Sequence, residues 1–279
     1  MFDTLTRLGA SGVTGPYTIN RSLRFNRGES TYLTATLGNS NVDLWTFSIW
    51  IKRTEFGEHQ SIFSSGSDDV YTHLNFDNAD KLKFRNWHNS DKGYLLTTRK
   101  FRDPNAWMHI VFIWDSDNGT AGDRQRLYIN GVRETAFDSQ TNPDADQDSV
   151  INGDTLGGSD WGEGKLRIGR FSETTDYASG YYADAHFIDG LAKEPSEFAE
   201  TDTDTGQYKP KKYDGAYGTN GFHLDFSDNS GVTSSTLGND SANSHDFTPN
   251  NFSVTAGVGN DSLEDTPTNN FPTLSPIDH

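Results

Sequence analysis

The sequence contains no cysteine among its 279 residues. A disulfide framework, a thiolate zinc site and a cysteine nucleophile are therefore excluded. Basic residues are also scarce, with 23 Lys and Arg against 40 Asp and Glu, which gives a formal net charge of −17. This charge repels phosphate backbones and anionic lipids, so we expect no nucleic-acid partner and no binding to a membrane surface.

Long apolar runs and a leader sequence are lacking too. A membrane-spanning helix needs about 18 consecutive apolar residues, and no segment approaches that length. The start, Met1 to Thr4, has neither the basic nor the apolar stretch of a signal peptide. We therefore expect no membrane insertion, and a protein that acts inside the cell or reaches the outside by lysis or as part of a particle.

Helix-forming acids are few, because the chain has three Asp for each Glu. Asp favours turns whereas Glu favours helices, so this ratio predicts strands and loops. Aromatic residues make up 13% of the chain although hydrophobic residues reach only 32%, which predicts a core built largely of rings. The best helix signal is one or two turns long, at 193–198.

Residue alternation predicts many short strands. Apolar and polar side chains alternate over 45–52, which predicts a sheet with one buried side. The segment 107–114 is apolar on both faces except at His109, which predicts a central strand and a hydrogen-bonded core histidine. Asn130-Gly131 predicts a hairpin turn. Further strand candidates are Ser22–Phe25, Ser61–Ser64, Leu82–Phe84, Leu166–Gly169, Tyr181–Ile188 and Phe222–Phe226.

These patterns predict an all-β fold, an antiparallel two-sheet β-sandwich with extended N- and C-terminal segments. We divide the chain into an N-terminal arm (1–19), a sandwich domain (20–246) and an extended C-terminal segment (247–279). The last of these would pack on the sandwich or on a neighbouring subunit. The Asp-rich, Gly-rich stretch 138–165 is predicted to be a surface loop.

The order of several segments carries a family resemblance. The series Ser22–Asn26, Phe47–Ile51, Trp107–Val111, Leu127–Gly131 and Leu166–Gly169 resembles the laminin-G-like, concanavalin A-like jelly roll of lectins and glucanases. The later segments are similar to a group of such domains in marine bacteriophages; they are Ala183–Gly190, Glu200–Gly206, Lys209–Tyr213, Asn220–Asp228, Asn250–Gly257 and Asp261–Asn269. The resemblance covers about residues 20–275 and identifies 20–246 as the jelly-roll domain.

The resemblance implies a non-enzymatic structural protein of the virion, a tail-fibre or appendage subunit in host attachment through a surface glycan. Its partners would be other virion subunits, in a homo-oligomer for which a trimer is one option. It would lie on the virion surface, made in the host cytoplasm and released by lysis. The chain ends soon after 265–269, which favours a small add-on subunit. Two alternatives stay open: a capsid decoration or head-fibre protein that stabilises the shell, and a divergent glycan hydrolase.

Catalytic patterns are absent from the sequence. Glucanases of this shape use Glu-x-Asp-x-x-Glu; Glu200-Thr201-Asp202 begins that pattern, but Thr205 stands where the second Glu is required. There is no Gly-x-Ser-x-Gly, His-Glu-x-x-His or Walker sequence, and the eight His show no pair at ligand spacing on one strand. We therefore predict no enzyme and no catalytic residue.

On this interpretation the protein requires no cofactor. Calcium is the plausible metal, because calcium prefers hard oxygen ligands such as carboxylates and carbonyl groups. Asp115–Gly119 resembles the opening of a calcium loop, although Arg126 stands where the bidentate Glu belongs. Asp225–Asp228 and Asp68-Asp69 are further candidates. Asx turns between strands are the alternative at each position, so the metal ligands stay unknown.

Sugar binding needs exposed rings, and the candidates lie in or beside the polar loops 86–94, 138–165 and 173–182. They are Trp87, Tyr94, Trp161, Tyr177 and Tyr181. The alternative for each ring is that it folds back onto a sheet. Apolar residues of the two termini would anchor the chain to neighbouring subunits as extended segments; they are Phe2, Leu5, Leu8, Phe271 and Leu274.

Overall fold

A computed structural model describes residues 17–67, 69–152, 165–172 and 175–270. Short strands dominate these residues. In chain order they are β1 (Ser22–Phe25), β2 (Tyr32–Thr36), β3 (Leu44–Arg53), β4 (Gln60–Gly66), β5 (Val70–Phe76), β6 (Lys81–His88), β7 (Asp91–Lys100), β8 (Met108–Asp115), β9 (Gln125–Ile129), β10 (Val132–Arg133), β11 (Phe137–Thr141), β12 (Lys165–Ile168), β13 (Gly180–Asp189), β14 (Ala199–Thr201), β15 (Tyr208–Pro210), β16 (Phe222–Leu224), β17 (Thr248–Asn250) and β18 (Ser262–Leu263).

Two antiparallel sheets form the sandwich. Sheet A has the order β10-β9-β8-β3-β13-β1-β18, with β16 also paired to β13. Sheet B has the order β11-β7-β6-β5-β4-β12-β2-β17, and β14 and β15 make a separate two-stranded ribbon. The prediction of an all-β antiparallel sandwich is confirmed. The predicted helix is a single 3-10 turn, Pro195–Glu197.

Aromatic rings fill the space between the sheets. Phe47 of sheet A stacks on Phe63 of sheet B with ring centroids 4.3 Å apart, and Phe112 stacks on Phe84 at 3.9 Å. Trp45 lies beside these rings and is 1% exposed. Burying each such ring stabilises the fold by about 1.5–3 kcal/mol. The alternation over 45–52 correctly predicts the inward residues of β3, which belong to this core.

The outer side of β3 differs from the prediction, because the sheet has both sides buried. Ser48, Trp50 and Lys52 point away from the core and are nevertheless at most 3% exposed. The β14–β15 ribbon and residues near Ile19 and Tyr213 cover them as a second layer. His109 lies under this layer, with Nε2 2.8 Å from Ser48 Oγ. The prediction of a hydrogen-bonded core histidine is confirmed.

The stretch 138–165 is not one surface loop. Residues 137–141 form β11 and pair with β7, while Val150 and Ile151 are buried in the domain. Residues 153–164 lie outside the described residues. The prediction was wrong because it rested on the small number of apolar residues in this stretch. Backbone pairing in β11 needs no apolar side chains, and Val150 and Ile151 are enough to hold the chain after β11 in the domain.

The two ends of the described chain lie on the sandwich. β17 pairs with β2, β18 pairs with β1, and Phe247 and Phe252 enter the core. The Ile19 backbone exchanges hydrogen bonds of 3.1 and 3.0 Å with Thr268 Oγ1. Within residues 17–67, 69–152, 165–172 and 175–270, no helix is long and apolar enough to cross a membrane. The proposed anchors at 2, 5, 8, 271 and 274 lie outside the described residues.

Candidate glycan-binding surface

Strands β6 and β7 place two of the proposed sugar-binding rings together. Leu82 and Phe84 of β6 face the core, so the alternate residues Arg85 and Trp87 face outward from sheet B. The register pairs Arg85 with Tyr94 of β7. Trp87 and Tyr94 therefore belong to strands rather than to loops, and both are half-buried.

Arg85 joins the two rings. Its guanidinium lies 4.1 Å from the Trp87 ring centroid and 5.8 Å from that of Tyr94, both within cation–π range. Arg85 Nε donates to the Asp91 carboxylate, and Nη1 donates to Tyr71 Oη at 3.2 Å. Burial alone would lower the pKa of Arg85, but the bond to Asp91 and the neighbouring Tyr71 raise it. We call Tyr71, Arg85, Trp87, Asp91 and Tyr94 the Arg85 platform.

A second group of rings continues the outer face of sheet B from the Arg85 platform. Tyr71 meets Phe171 edge to face at 4.9 Å, and Phe171 stacks on His73 at 4.3 Å. Further along the sheet, Tyr177 lies 6.2 Å from Tyr32 between ring centroids. Tyr177 is therefore on the same sheet face as the platform, but not in it.

The remaining candidate rings do not join this surface. Tyr181 lies in β13 of sheet A, where its ring is 5.6 Å from the Lys52 ammonium. Trp161 lies outside the described residues. The structure thus brings together Trp87 and Tyr94, places Tyr177 nearby, and separates Tyr181 onto the other sheet.

Comparison with known proteins fits this architecture. A laminin G family profile, described as the concanavalin A-like lectin/glucanases superfamily, matches residues 27–189, more than half of the chain. The chain belongs to this superfamily. The prediction of a concanavalin A-like, laminin-G-like fold is therefore confirmed. No curated protein sequence matches the chain.

Several solved structures are similar to the chain at low identity. A candidate carbohydrate-binding protein from Bacteroides ovatus is 15% identical with a TM-score of 0.57, covering 85% of this chain and 60% of that one. An SAP-like pentraxin from Limulus polyphemus is 17% identical with a TM-score of 0.44, covering 63% of this chain and 78% of that one. Domains LG4-5 of the mouse laminin α1 chain are 12% identical with a TM-score of 0.41, covering 78% and 52%. The likeness to the Bacteroides ovatus protein shows the fold alone.

Three residues of the platform were missed by the sequence reasoning, namely Tyr71, Arg85 and Asp91. Arg85 carried a signal, since it stands two residues before Trp87 in an alternating strand and must share its face. Tyr71 and Asp91 carried none, because their places depend on how β5, β6 and β7 pair.

Three carboxylates come together in the loops of the sandwich. We call Asp43, Asp117 and Asp146 the acidic rim. Asp117 follows β8, and its carboxyl lies within hydrogen-bonding reach of Asp146 and Asp43. The bond to Asp146, followed by burial and the charge of Asp43, raises the pKa of Asp117 to about 6. Carboxylates that approach this closely must share a proton or a cation, and their oxygens are the ligands that calcium prefers.

Three of the other proposed calcium ligands, Asp115, Asp225 and Asp228, have structural partners. Asp115 accepts a hydrogen bond from Asn118 Nδ2 at 3.0 Å and lies 3.4 Å from Arg126. Asp225 and Asp228 each accept a backbone N–H two residues on, which is the Asx-turn alternative. Asp68 lies outside the described residues. Asp117 is thus the candidate that the fold places beside other carboxylates.

The partial glucanase pattern has a structural role in this domain. Asp202 accepts hydrogen bonds from Lys209 Nζ at 2.8 Å and from the backbone of Thr205 at 2.9 Å, which closes the β14–β15 turn. These bonds, that to Lys209 first, hold the pKa of Asp202 well below its usual value. Glu200 lies 3.5 Å from the same ammonium. Asp202 thus stabilises the turn, and Thr205 stands where the glucanase pattern requires its second Glu.

Proposed function

We propose that this chain is a non-enzymatic, lectin-like subunit on the outside of a bacteriophage particle, where a tail fibre or appendage uses it to attach to a host-surface glycan. The superfamily fold and the ordered segments resembling marine bacteriophage domains support this proposal. So does the Bacteroides ovatus protein of the same fold, which is described as a carbohydrate-binding candidate.

The Arg85 platform is the observation that carries the glycan part of the proposal. The faces of Trp87 and Tyr94 can stack on the apolar face of a sugar ring, while Arg85 and Asp91 can bind hydroxyl groups. Arg85 is held by both a carboxylate and a phenol, so little side-chain entropy is lost when a sugar binds.

A glycan array tests this role directly. Wild-type protein is expected to bind a subset of bacterial surface glycans, and Trp87→Ala is expected to weaken that binding by about 10-fold or more, because a central ring is lost. Tyr181→Ala is the matched control, since it removes a half-buried ring from the opposite sheet. Equal losses in the two variants, or no glycan bound by folded wild type, would contradict the platform.

The same array, run with and without calcium, decides whether the acidic rim takes part. Asp117→Asn abolishes a calcium effect that acts through the rim, whereas Asp144→Asn, an exposed acid in the same part of the chain, leaves it intact. The proposal itself requires no cofactor.

Particle location tests the virion part of the proposal. Immunogold labelling of phage particles that carry this gene is expected to mark the tail fibres or an appendage. Label confined to the capsid would replace the proposal with the shell-decoration alternative. A virion role would be refuted if the particles carry no label and a blot detects the denatured chain in cell lysate but not in purified particles.

A further inference from the structure

The outer face of sheet A holds a cluster of titratable side chains that the proposed function does not use. Strands β13 and β16 pair so that His186 stands directly opposite His223, and Asp184 precedes His186 by two residues. One ligand atom from each of these three side chains lies within 4.8 Å of the others. Asp184 and His186 are each 1% exposed.

A bulge in β13 turns Asp184 toward the two histidines. The pairing of β13 with β3 shifts between Ala183 and His186, and Asp184 has a φ of 51°. A non-glycine residue rarely adopts this left-handed backbone, and bulges of this kind re-aim a side chain at functional sites. Tyr182 is in the core, so strict alternation from Tyr182 would place Asp184 on the inner face; the bulge places Asp184 on the outer face with His186.

The hydrogen bonds of the cluster leave two buried atoms unmatched. Asp184 Oδ1 accepts from Tyr17 Oη at 2.8 Å and pairs with His223 Nε2 at 2.8 Å. Asp184 Oδ2 and His186 Nε2 have no hydrogen-bond partner among the described residues, and they face each other across 3.3 Å. Two such facing polar atoms, both excluded from water, require either a proton on Nε2 or a cation between them.

The outer nitrogens of both histidines are already held. His186 Nδ1 lies 2.9 Å from Tyr217 Oη, and His223 Nδ1 lies 2.8 Å from Ser241 Oγ. A hydroxyl that accepts the Nδ1 proton fixes the tautomer with a free Nε2, which is how metal-binding histidines are oriented.

A cavity gives this cluster access to solvent. It has a volume of about 410 Å³, and its wall includes Tyr17, Tyr217, Asp184, His223 and Asp225. A metal ion can enter through such an opening, and a water molecule can occupy the coordination position that faces it.

We propose that Asp184 Oδ2, His186 Nε2 and His223 Nε2 bind one divalent ion of the zinc class, with water from the cavity as the fourth ligand. Metal–ligand distances of about 2.0–2.1 Å across the 3.3 Å gap give an angle of about 105–110°, the tetrahedral value. Two imidazoles and a carboxylate suit zinc rather than calcium or magnesium.

One side chain moves when the ion binds. The rings of His186 and His223 stack at 4.1 Å and 8°, and His223 Nε2 is bonded to Asp184 Oδ1. His223 joins the ion by turning its Nε2 away from Oδ1, which Tyr17 continues to occupy. The side chain of His223 is 16% exposed and lies in the cavity wall, so it has room to turn.

Calorimetry on chelator-treated full chain, with ZnCl₂ as the probe, tests the site. We expect one equivalent bound per chain, and a tetrahedral ligand-field spectrum when Co²⁺ replaces zinc. His186→Gln and His223→Gln are each expected to weaken zinc binding by more than about 100-fold. This loss exceeds the one caused by removing a residue that only hydrogen-bonds to a ligand. Tyr217→Phe, which removes only such a partner, is expected to cost about 10-fold.

Two controls make the result decisive. His88→Gln removes a half-buried histidine from the end of β6 and should leave zinc binding unchanged. Millimolar calcium should not displace the zinc, because imidazole nitrogens suit zinc and calcium prefers oxygen ligands. No zinc bound by the folded wild type, or wild-type affinity in a folded His223→Gln variant, would overturn the proposal. His223 is partly exposed, so that variant stays informative if His186→Gln does not fold.

Discussion

Replacing Asp80 by asparagine is expected to lower the free energy of unfolding by about 3–5 kcal/mol. Asp80 lies in the turn between β5 and β6 of sheet B and is 1% exposed, as is Arg53 of β3 in sheet A. Arg53 Nη2 lies 3.2 Å from Asp80 Oδ1, so this buried ion pair connects the two sheets. Removing the carboxylate would leave the Arg53 charge buried without its counter-ion.

Asparagine is the appropriate replacement because the Asp80 backbone is left-handed, with a φ of 64°. Asn tolerates this conformation, so the variant reports the lost charge rather than backbone strain. Burial would raise the pKa of Asp80, but bonds from the Gly57 N–H, Arg102 and Arg53 lower it. The carboxylate is therefore ionised across the neutral range.

Urea unfolding measures the effect, with Arg102→Ala as the control. Arg102 binds the other Asp80 oxygen at 2.6 Å, but its side chain is 56% exposed, so its loss should cost about 1 kcal/mol or less. If the free energy of unfolding of Asp80→Asn lies within about 1 kcal/mol of wild type, the Arg53–Asp80 pair does not contribute the about 3 kcal/mol expected of a buried ion pair.

Acidification from pH 6.5 to 4.5 is expected to destabilise the protein, mainly through its buried histidines. Burial lowers the pKa of three histidines, and that of His109 falls to about 3. In the unfolded chain these histidines, His73, His109 and His186, take up protons near the ordinary value of about 6.5. Below that pH the unfolded state binds more protons than the folded state, so the free energy of unfolding decreases as the pH is lowered.

The size of this effect follows from the His109 pKa. At pH 4.5 the unfolded His109 is about two pH units below its midpoint while the folded one is still neutral, which costs about 3 kcal/mol. His223 opposes the trend, because Asp184 raises its pKa against the effect of burial. Its contribution is present below its unfolded pKa and is lost as pH rises through the folded value. Asp117 also opposes it, but its exposed carboxyl is screened by solvent.

Unfolding free energies measured across this pH range provide the test. His109→Gln removes one titrating group, so its stability should depend less on pH by about the amount assigned to His109. The folded variant also loses the contact with Tyr208 Oη at 3.0 Å, which shifts its stability at every pH and not the slope. A slope equal to that of wild type would show that His109 is protonated in the folded state.

Strand alternation explains which parts of the fold were predictable. The segment 45–52 shows which side chains of β3 enter the core, because that pattern lies within one strand. The layer over its other side comes from residues near Ile19 and Tyr213, which are distant in sequence. Periodicity reveals the faces of a strand but not what covers each face.

The sites were predictable to the same extent. Trp87 and Tyr94 stand out as rings beside polar residues, but the link through Arg85 requires the β6–β7 register. Likewise, no two histidines stand at ligand spacing along one predicted strand, whereas His186 and His223 meet across two strands. Pairing of distant strands, which no local pattern encodes, produced both arrangements.

The contact between Ile19 and Thr268 has a consequence for how the domain can be displayed. Both ends of the described chain meet on the outer side of sheet A, so a scaffold joined to either end would hold the domain from that side. The Arg85 platform lies on the opposite sheet and would face away from such a scaffold. The same proximity makes the domain a good candidate for circular permutation, with a short linker joining residues 19 and 268 and new ends opened in a distant turn.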